Sequence, residues 1–151
     1  MNQEYNIDKN DCRLNDCLFF SCAKLARVLG KTADDAFSKT GLSPSHALLL
    51  YLVNQNGEIH QKEIGERLHL TPSTITRFVE KLEGKRLVSR KTNGKNVYIC
   101  TTEKGLLLQS EIIIAWNDLH AVYEDILTED ETRQFIEISR KLLKKLEKQK
   151  D

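Results

Sequence analysis

The chain has 151 residues, 30% charged and 40% hydrophobic, with a formal net charge of +1, four Cys, two Pro and seven Gly. That length suits one domain with helical extensions, able to bury roughly two-thirds of its unfolded surface without disulfides or a metal, and the composition excludes a disordered chain. No run approaches the ~20 apolar residues of a membrane span, and the polar, acidic start MNQEYNIDKNDCRLNDC excludes a signal or transit peptide, so a cytoplasmic protein with reduced thiols is expected.

From about Cys12 to Phe37 the apolar positions Leu14, Leu18, Cys22, Leu25, Leu29, Ala33 and Phe37 recur in steps of three and four. This predicts a long helix with one apolar stripe. Gly41 stops it. Ser43-Pro44 restarts the chain, Ser43 as N-cap and Pro44 at the first helical position, where a missing N–H costs nothing. The helix from His46 to Asn54 is apolar nearly all round and belongs at the centre of the core; Gln55-Asn56-Gly57 ends it. After Ile59 a short helix, Gln61 to Leu68, turns Ile64 and Leu68 inward. His69 to Pro72 is a turn, and Thr71-Pro72 repeats the cap-then-proline signal. The next helix runs from Pro72 to about Gly84, with Ile75, Phe78, Val79 and Leu82 on its apolar face.

The period then changes from 3.6 to 2. Leu87 to Lys91 and Asn96 to Cys100 are short strands joined by Thr92-Asn93-Gly94-Lys95. Asn-Gly between strands signals a type I′ hairpin, which needs positive φ at both central residues. Thr102 caps a long helix with Gly105 in its first turn and Leu106, Ile113, Trp116, Leu119, Val122 and Ile126 on its apolar side. Thr128-Glu129-Asp130-Glu131 is a capping box. It opens a last helix with Phe135, Ile138, Leu142 and Leu146 inward.

The charge is not spread evenly along these elements. Residues 1–59 carry −1, residues 60–104 carry +5 and residues 105–151 carry −3. From Lys85 to Lys95 there are five basic residues and no acid. Such a run is an electrostatic footprint for a polyanion when its surroundings fit one. Here they do: helix, turn, helix and a basic two-stranded ribbon make a winged helix-turn-helix. The expected fold is mainly α with a small β-wing. A winged core (residues 41–101) lies between an N-terminal dimerisation helix (residues 1–40) and C-terminal dimerisation helices (residues 102–151).

A DNA major groove admits one helix, read mainly through its N-terminal part. The candidate DNA-binding residues are therefore Ser73, Thr74, Thr76, Arg77 and Lys81 on the second helix and Arg90, Lys91 and Lys95 on the ribbon. Small hydroxyls allow close approach, helix N–H groups face phosphate, and Arg77 is able to fork onto guanine or phosphate. The amphipathic end helices point to a homodimer, whose two recognition helices would lie roughly 34 Å apart on double-stranded promoter DNA.

Residues 64–83, IGERLHLTPSTITRFVEKLE, resemble the helix-turn-helix signature of the MarR family of transcriptional regulators. Leu87-Val88-Ser89-Arg90 and Thr101-Thr102-Glu103-Lys104-Gly105 resemble its wing borders, and Leu42-Ser43 before the Leu-rich helix is similar too. The resemblance implies a dimer of six-helix subunits with interlocked terminal helices. It also implies binding to palindromic promoter DNA, commonly as a repressor released by a small effector held between the winged core and the dimer helices. Two departures stand out. The wing is short, with Lys95 in place of the family's tip Arg, so phosphate contact rather than minor-groove insertion is expected. Arg86 stands where the family usually has Gly.

Cys12, Cys17 and Cys22 recur every five residues and spread around a helix, so they make no single metal site. Cys100, His46, His60, His69 and His120 add no metal-ligand spacing. Cys17, followed by Leu18-Phe19-Phe20, resembles the reactive cysteine of the family's organic-hydroperoxide-sensing branch and is the candidate redox residue. Arg13 and Lys24 lie near it and would favour its thiolate, whereas Asp16 opposes it. Ser21 and Lys31 stand where that branch has Tyr. The alternative is a Cys packed as a small hydrophobe. No phosphate-binding Gly loop, nucleophile elbow or paired-carboxylate motif points to an enzyme, and no cofactor is called for. The remaining alternative, a winged helix used for protein–protein contact, would place apolar or acidic residues where Thr74, Arg77 and Lys81 stand.

Overall fold

The computed structural model describes residues 16–148; the readings of Cys12, Arg13 and Leu14 lie outside them. The order is α1 (Leu18–Phe37), a 3₁₀ turn (Ser38–Thr40), α2 (Pro44–Asn56), β1 (Glu58–His60), α3 (Gln61–Leu68), α4 (Pro72–Gly84), β2 (Val88–Asn93), β3 (Asn96–Thr101), α5 (Glu103–Leu107), α6 (Gln109–Glu124) and α7 (Glu129–Glu147). The sheet is antiparallel in the order β1-β3-β2.

Four helices start on a hydroxyl that accepts a backbone N–H: Ser43 from His46, Thr71 from Thr74, Thr102 from Gly105 and Thr128 from Glu131. Pro44 and Pro72 occupy the first helical position, as their missing N–H allows. At Thr128 the capping box closes, the Thr128 N–H donating to the Glu131 carboxylate at 2.8 Å. This bond holds the exposed Glu131 carboxyl below its ordinary pKa.

The core is a single cluster. Leu49, Leu50 and Val53 of α2 lie at its centre, packed with Ile64, Ile75, Val79, Leu82, Leu87, Ile99, Ile112 and Phe37. α2 is thus the central helix that its all-round apolar sequence predicts.

Several elements differ from expectation. β1 is a third strand; it pairs Ile59 with Ile99, and three residues with one apolar member are too short to show alternation. α1 begins at Leu18 because Cys17 is extended (φ −78°, ψ 120°). The hairpin turn is centred on Gly94-Lys95, since Asn93 pairs with Asn96. Gly94 has φ 61° while Asn93 and Lys95 do not have positive φ, the pattern of a II′ turn, which needs glycine only at its first central position. The helix after Thr102 breaks at Leu108. Asn54 donates to the Gly105 carbonyl at 2.9 Å, and the Leu108 N–H bends back to the same oxygen, so a side chain enters the helical ladder there. Gly105 itself is pressed against the wing root: a Cβ would lie 2.1 Å from the Leu87 carbonyl oxygen.

The apolar stripes of the end helices are also re-aimed. On α6 the face in the core is Ile112, Ala115 and Leu119, with Leu108 and Tyr123 at its border. Of the expected α6 set only Leu119 is buried; Leu106, Ile113, Trp116, Val122 and Ile126 are exposed. Phe135, Ile138, Leu142 and Leu146 of α7 are exposed rather than inward, as are Leu18, Cys22 and Leu25 of α1. The physical reason is that one small winged core has too little apolar surface to cover three amphipathic helices.

Candidate nucleic-acid interface

α4 has one buried face and one open face along its length. Ile75, Val79 and Leu82 bury one side. Ser73, Arg77 and Lys81 are exposed and recur every four residues, so they form one outward stripe. Thr74 is half-buried beside it, its hydroxyl 2.9 Å from that of the cap, Thr71; the Ser73 hydroxyl lies 3.2 Å from the same cap. These hydroxyls crowd the N-terminus of α4, where the helix dipole attracts an anion.

Thr76 is turned away from this stripe. Its hydroxyl donates to the Pro72 carbonyl at 3.0 Å and accepts from Gln61 Nε2 at 3.1 Å. It ties α4 to α3, and Gln61, which the sequence reading passed over, is its partner. The other amide atom of Gln61, Oε1, is buried without a hydrogen-bond partner.

The wing brings Arg90, Lys91 and Lys95 alongside, in different states. Arg90 pairs with Glu83 of α4 at 3.2 Å, both about one-third exposed. Lys91 pairs with Glu58 of β1 at 3.2 Å. Lys95 occupies the exposed tip. Glu83 thus fastens the wing to α4, and charge counting alone gave no sign of that pairing.

Arg86 ends α4 with φ 62°. Its N–H donates to the Glu83 carbonyl, and the Leu87 N–H donates to the Leu82 carbonyl. That pair of bonds is a Schellman stop, whose left-handed residue is ordinarily glycine. The absence of the family's Gly is therefore a real departure in backbone energy.

Behind α4, His46 of α2 is buried, its ring 4.3 Å from that of Phe78 and its Nδ1 2.5 Å from the Ser43 hydroxyl. Burial first, then the nearby Lys81 and Lys85 charges, push its pKa below the ordinary 6.5. At the wing root, burial and then Glu58 push the Cys100 thiol up, which disfavours a reactive thiolate there.

Between α2 and α6 lies a cavity of about 330 Å³ lined by Leu48, Tyr51, Ile112, Ile113, Trp116 and Asn117. Trp116 is a cavity wall, whereas Phe37, edge-on to it at 6.4 Å, is core. Cys17 is the half-buried N-cap residue of α1, and Cys22 is exposed. Among the described residues no group of His, Cys, Asp or Glu stands close enough to hold a metal ion.

Residues 42–96, from the residue before the α2 cap to the turn of the wing, match the MarR family model. Over that segment the chain is similar to the MarR family of winged-helix transcriptional regulators. The chain is 29% identical over 111 residues to the HTH-type transcriptional repressor MdtR of Bacillus subtilis, covering 72% of each protein. Its fold is that of S. aureus MepR solved in complex with DNA, with a TM-score of 0.75 at 18% identity over 85% of this chain and 98% of that one. It is also that of CouR from Rhodococcus jostii RHA1 bound to p-coumaroyl-CoA, with a TM-score of 0.75 at 22% identity over 87% and 95%. Among the described residues no helix is long and apolar enough to cross a membrane.

Proposed function

We propose that this protein is a homodimeric transcriptional repressor that binds inverted-repeat promoter DNA and is released by a small effector. The winged core, residues 41–101, meets the duplex; residues 1–40 and 102–151 join the subunits. The observation that carries the reading is the open face of α4, with Ser73, Arg77 and Lys81 in one exposed stripe beside a basic wing tip at Lys95. Repression is supported by the likeness to MdtR, named a repressor. The cavity between α2 and α6 suits a small, largely apolar effector, with the Tyr51 hydroxyl and the Asn117 amide for orientation. Ligand there would press on α6, a helix of the dimer, and on α2, which supports α4. Selection of bound duplexes from a random pool tests the reading. An inverted repeat with half-sites about one helical turn apart is expected; a pool that stays random refutes it.

A second reading concerns what releases the DNA, and the place of Cys17 favours it. Cys17 stands half-buried at the N-terminal cap of α1, directly before Leu18, Phe19 and Phe20. Oxidation to a sulfenic acid would put a polar group among Leu18, Phe19 and Phe20. Operator binding should then fall with an organic hydroperoxide and recover with reductant, while Cys17→Ser stays bound. Wild-type binding indifferent to peroxide leaves Cys17 as packing.

A further inference from the structure

Helix α7 is acidic in its first turn, with Glu129, Asp130 and Glu131, and basic toward its end, with Arg140, Lys141, Lys144, Lys145 and Lys148. The helix dipole favours cations in the last turn only. It accounts for Lys144 and Lys145 but not for Arg140, nor for the alignment of the set. Arg140, Lys144 and Lys148 recur every four residues and make one exposed stripe. At 100° per residue this stripe lies across the helix from Phe135, Leu142 and Leu146. Pairing of that apolar face with a second subunit leaves the basic stripe open.

The stripe has a definite neighbour. Arg140, Lys144 and Lys148 line one groove with His69, Leu143 and Glu147. His69 closes α3 in the left-handed conformation and stands two residues before Thr71, the cap of α4. The groove therefore opens beside the N-terminus of α4, where the candidate DNA contacts begin. Glu147 is the one acid among its lining residues, against three cations.

We propose that the basic stripe of α7 is a second contact for the phosphate backbone of duplex DNA, continuous with the helix-turn-helix. It rests on the reading of α4 as the DNA helix. Arg140, Lys144 and Lys148 would hold phosphates next to those met by the N-terminus of α4. Such contacts add affinity and footprint without reading bases.

The full-length protein, titrated onto a random-sequence duplex about four helical turns long over roughly 50–200 mM KCl, tests this. Arg140→Gln with Lys144→Gln keeps helix propensity and removes two charges. The slope of log affinity against log salt should fall by about 1 to 2, since each phosphate contact contributes roughly 0.9. Lys39→Gln with Lys145→Gln removes the same charge away from the stripe and should keep the wild-type slope. Equal losses in both would mean a long-range field and overturn the contact. A changed sedimentation mass for Arg140→Gln with Lys144→Gln would assign the stripe to a subunit interface and overturn it as well. If Arg77→Ala weakens binding while the stripe variant does not, this proposal alone fails. If neither matters, the reading of α4 fails with it.

Discussion

Arg86 occupies a glycine's place. Its φ of 62° costs an L-residue roughly 1–2 kcal/mol relative to glycine, part of which glycine returns through a looser unfolded chain. Arg86→Gly is therefore expected to stabilise the protein by about 1 kcal/mol. The bond from the Thr102 hydroxyl reaches the backbone carbonyl of Arg86 at 2.9 Å and survives the change. Urea unfolding measures the gain; an unchanged midpoint would show that the backbone there is unstrained. His46 carries a prediction in pH. Its folded pKa lies below 6.5, from burial and then Lys81 and Lys85, so the unfolded chain takes up a proton that the folded one refuses. The stability contribution is complete above pH 6.5, falls as pH drops through it, and stops falling below the lowered folded value. His46→Gln should flatten that part of the unfolding free energy between pH 8 and 5, and an unaltered profile would assign the pH dependence to other groups. Thr76 teaches a smaller lesson. Its type and position suit a DNA contact, but its hydroxyl is spent on Pro72 and Gln61, and only the packed structure shows this.

At the level of elements, the helix starts were legible because a cap is local chemistry: a hydroxyl and an N–H two or three residues on. Ser43, Thr71, Thr102 and Thr128 all cap as their sequence says. The wing was half legible. Its strands follow from alternation and Gly94, but the pairings Arg90–Glu83 and Lys91–Glu58 join residues distant in sequence. These pairs are partly solvated, and such pairs are typically worth no more than about 1 kcal/mol, weak enough for a phosphate to displace the carboxylate. Lys95→Ala should weaken binding to all duplexes alike and lower the salt slope by about 1. Arg90→Ala should act in the same sense but less, because Arg90 must first leave Glu83. Arg77→Ala should instead cost about 1–3 kcal/mol on the selected site and relax its sequence preference. Equal losses for Arg77→Ala on selected and random DNA would move Arg77 to the phosphate class.

For the whole molecule the decisive feature is the uncovered apolar surface. Leu18 and Phe19 of α1, Ile114 of α6 and Phe135, Ile138 and Leu146 of α7 are each more than half exposed in one chain. Exposed apolar surface on this scale marks an interface. Sedimentation should give twice the 17.4 kDa chain mass at micromolar concentration. Leu142→Asp with Leu146→Asp should lower that mass or the melting temperature of the assembly. A stable wild-type monomer would refute the dimer.

Much of this protein follows from short-range patterns in the chain. Hydroxyl-Pro starts, the change of period at residue 87, the glycine turn and the basic run of residues 85–95 each involve neighbours within a few residues, so the winged helix-turn-helix could be read without coordinates. Tertiary structure decided what depends on residues far apart. It placed β1 against β3, broke the helix at Leu108 through Asn54, and turned Ile112 rather than Ile113 into the core. It also turned the stripe of α7 outward. Periodicity says that a helix has an apolar side; which body covers that side is settled by how much apolar surface the rest of the fold has left to offer.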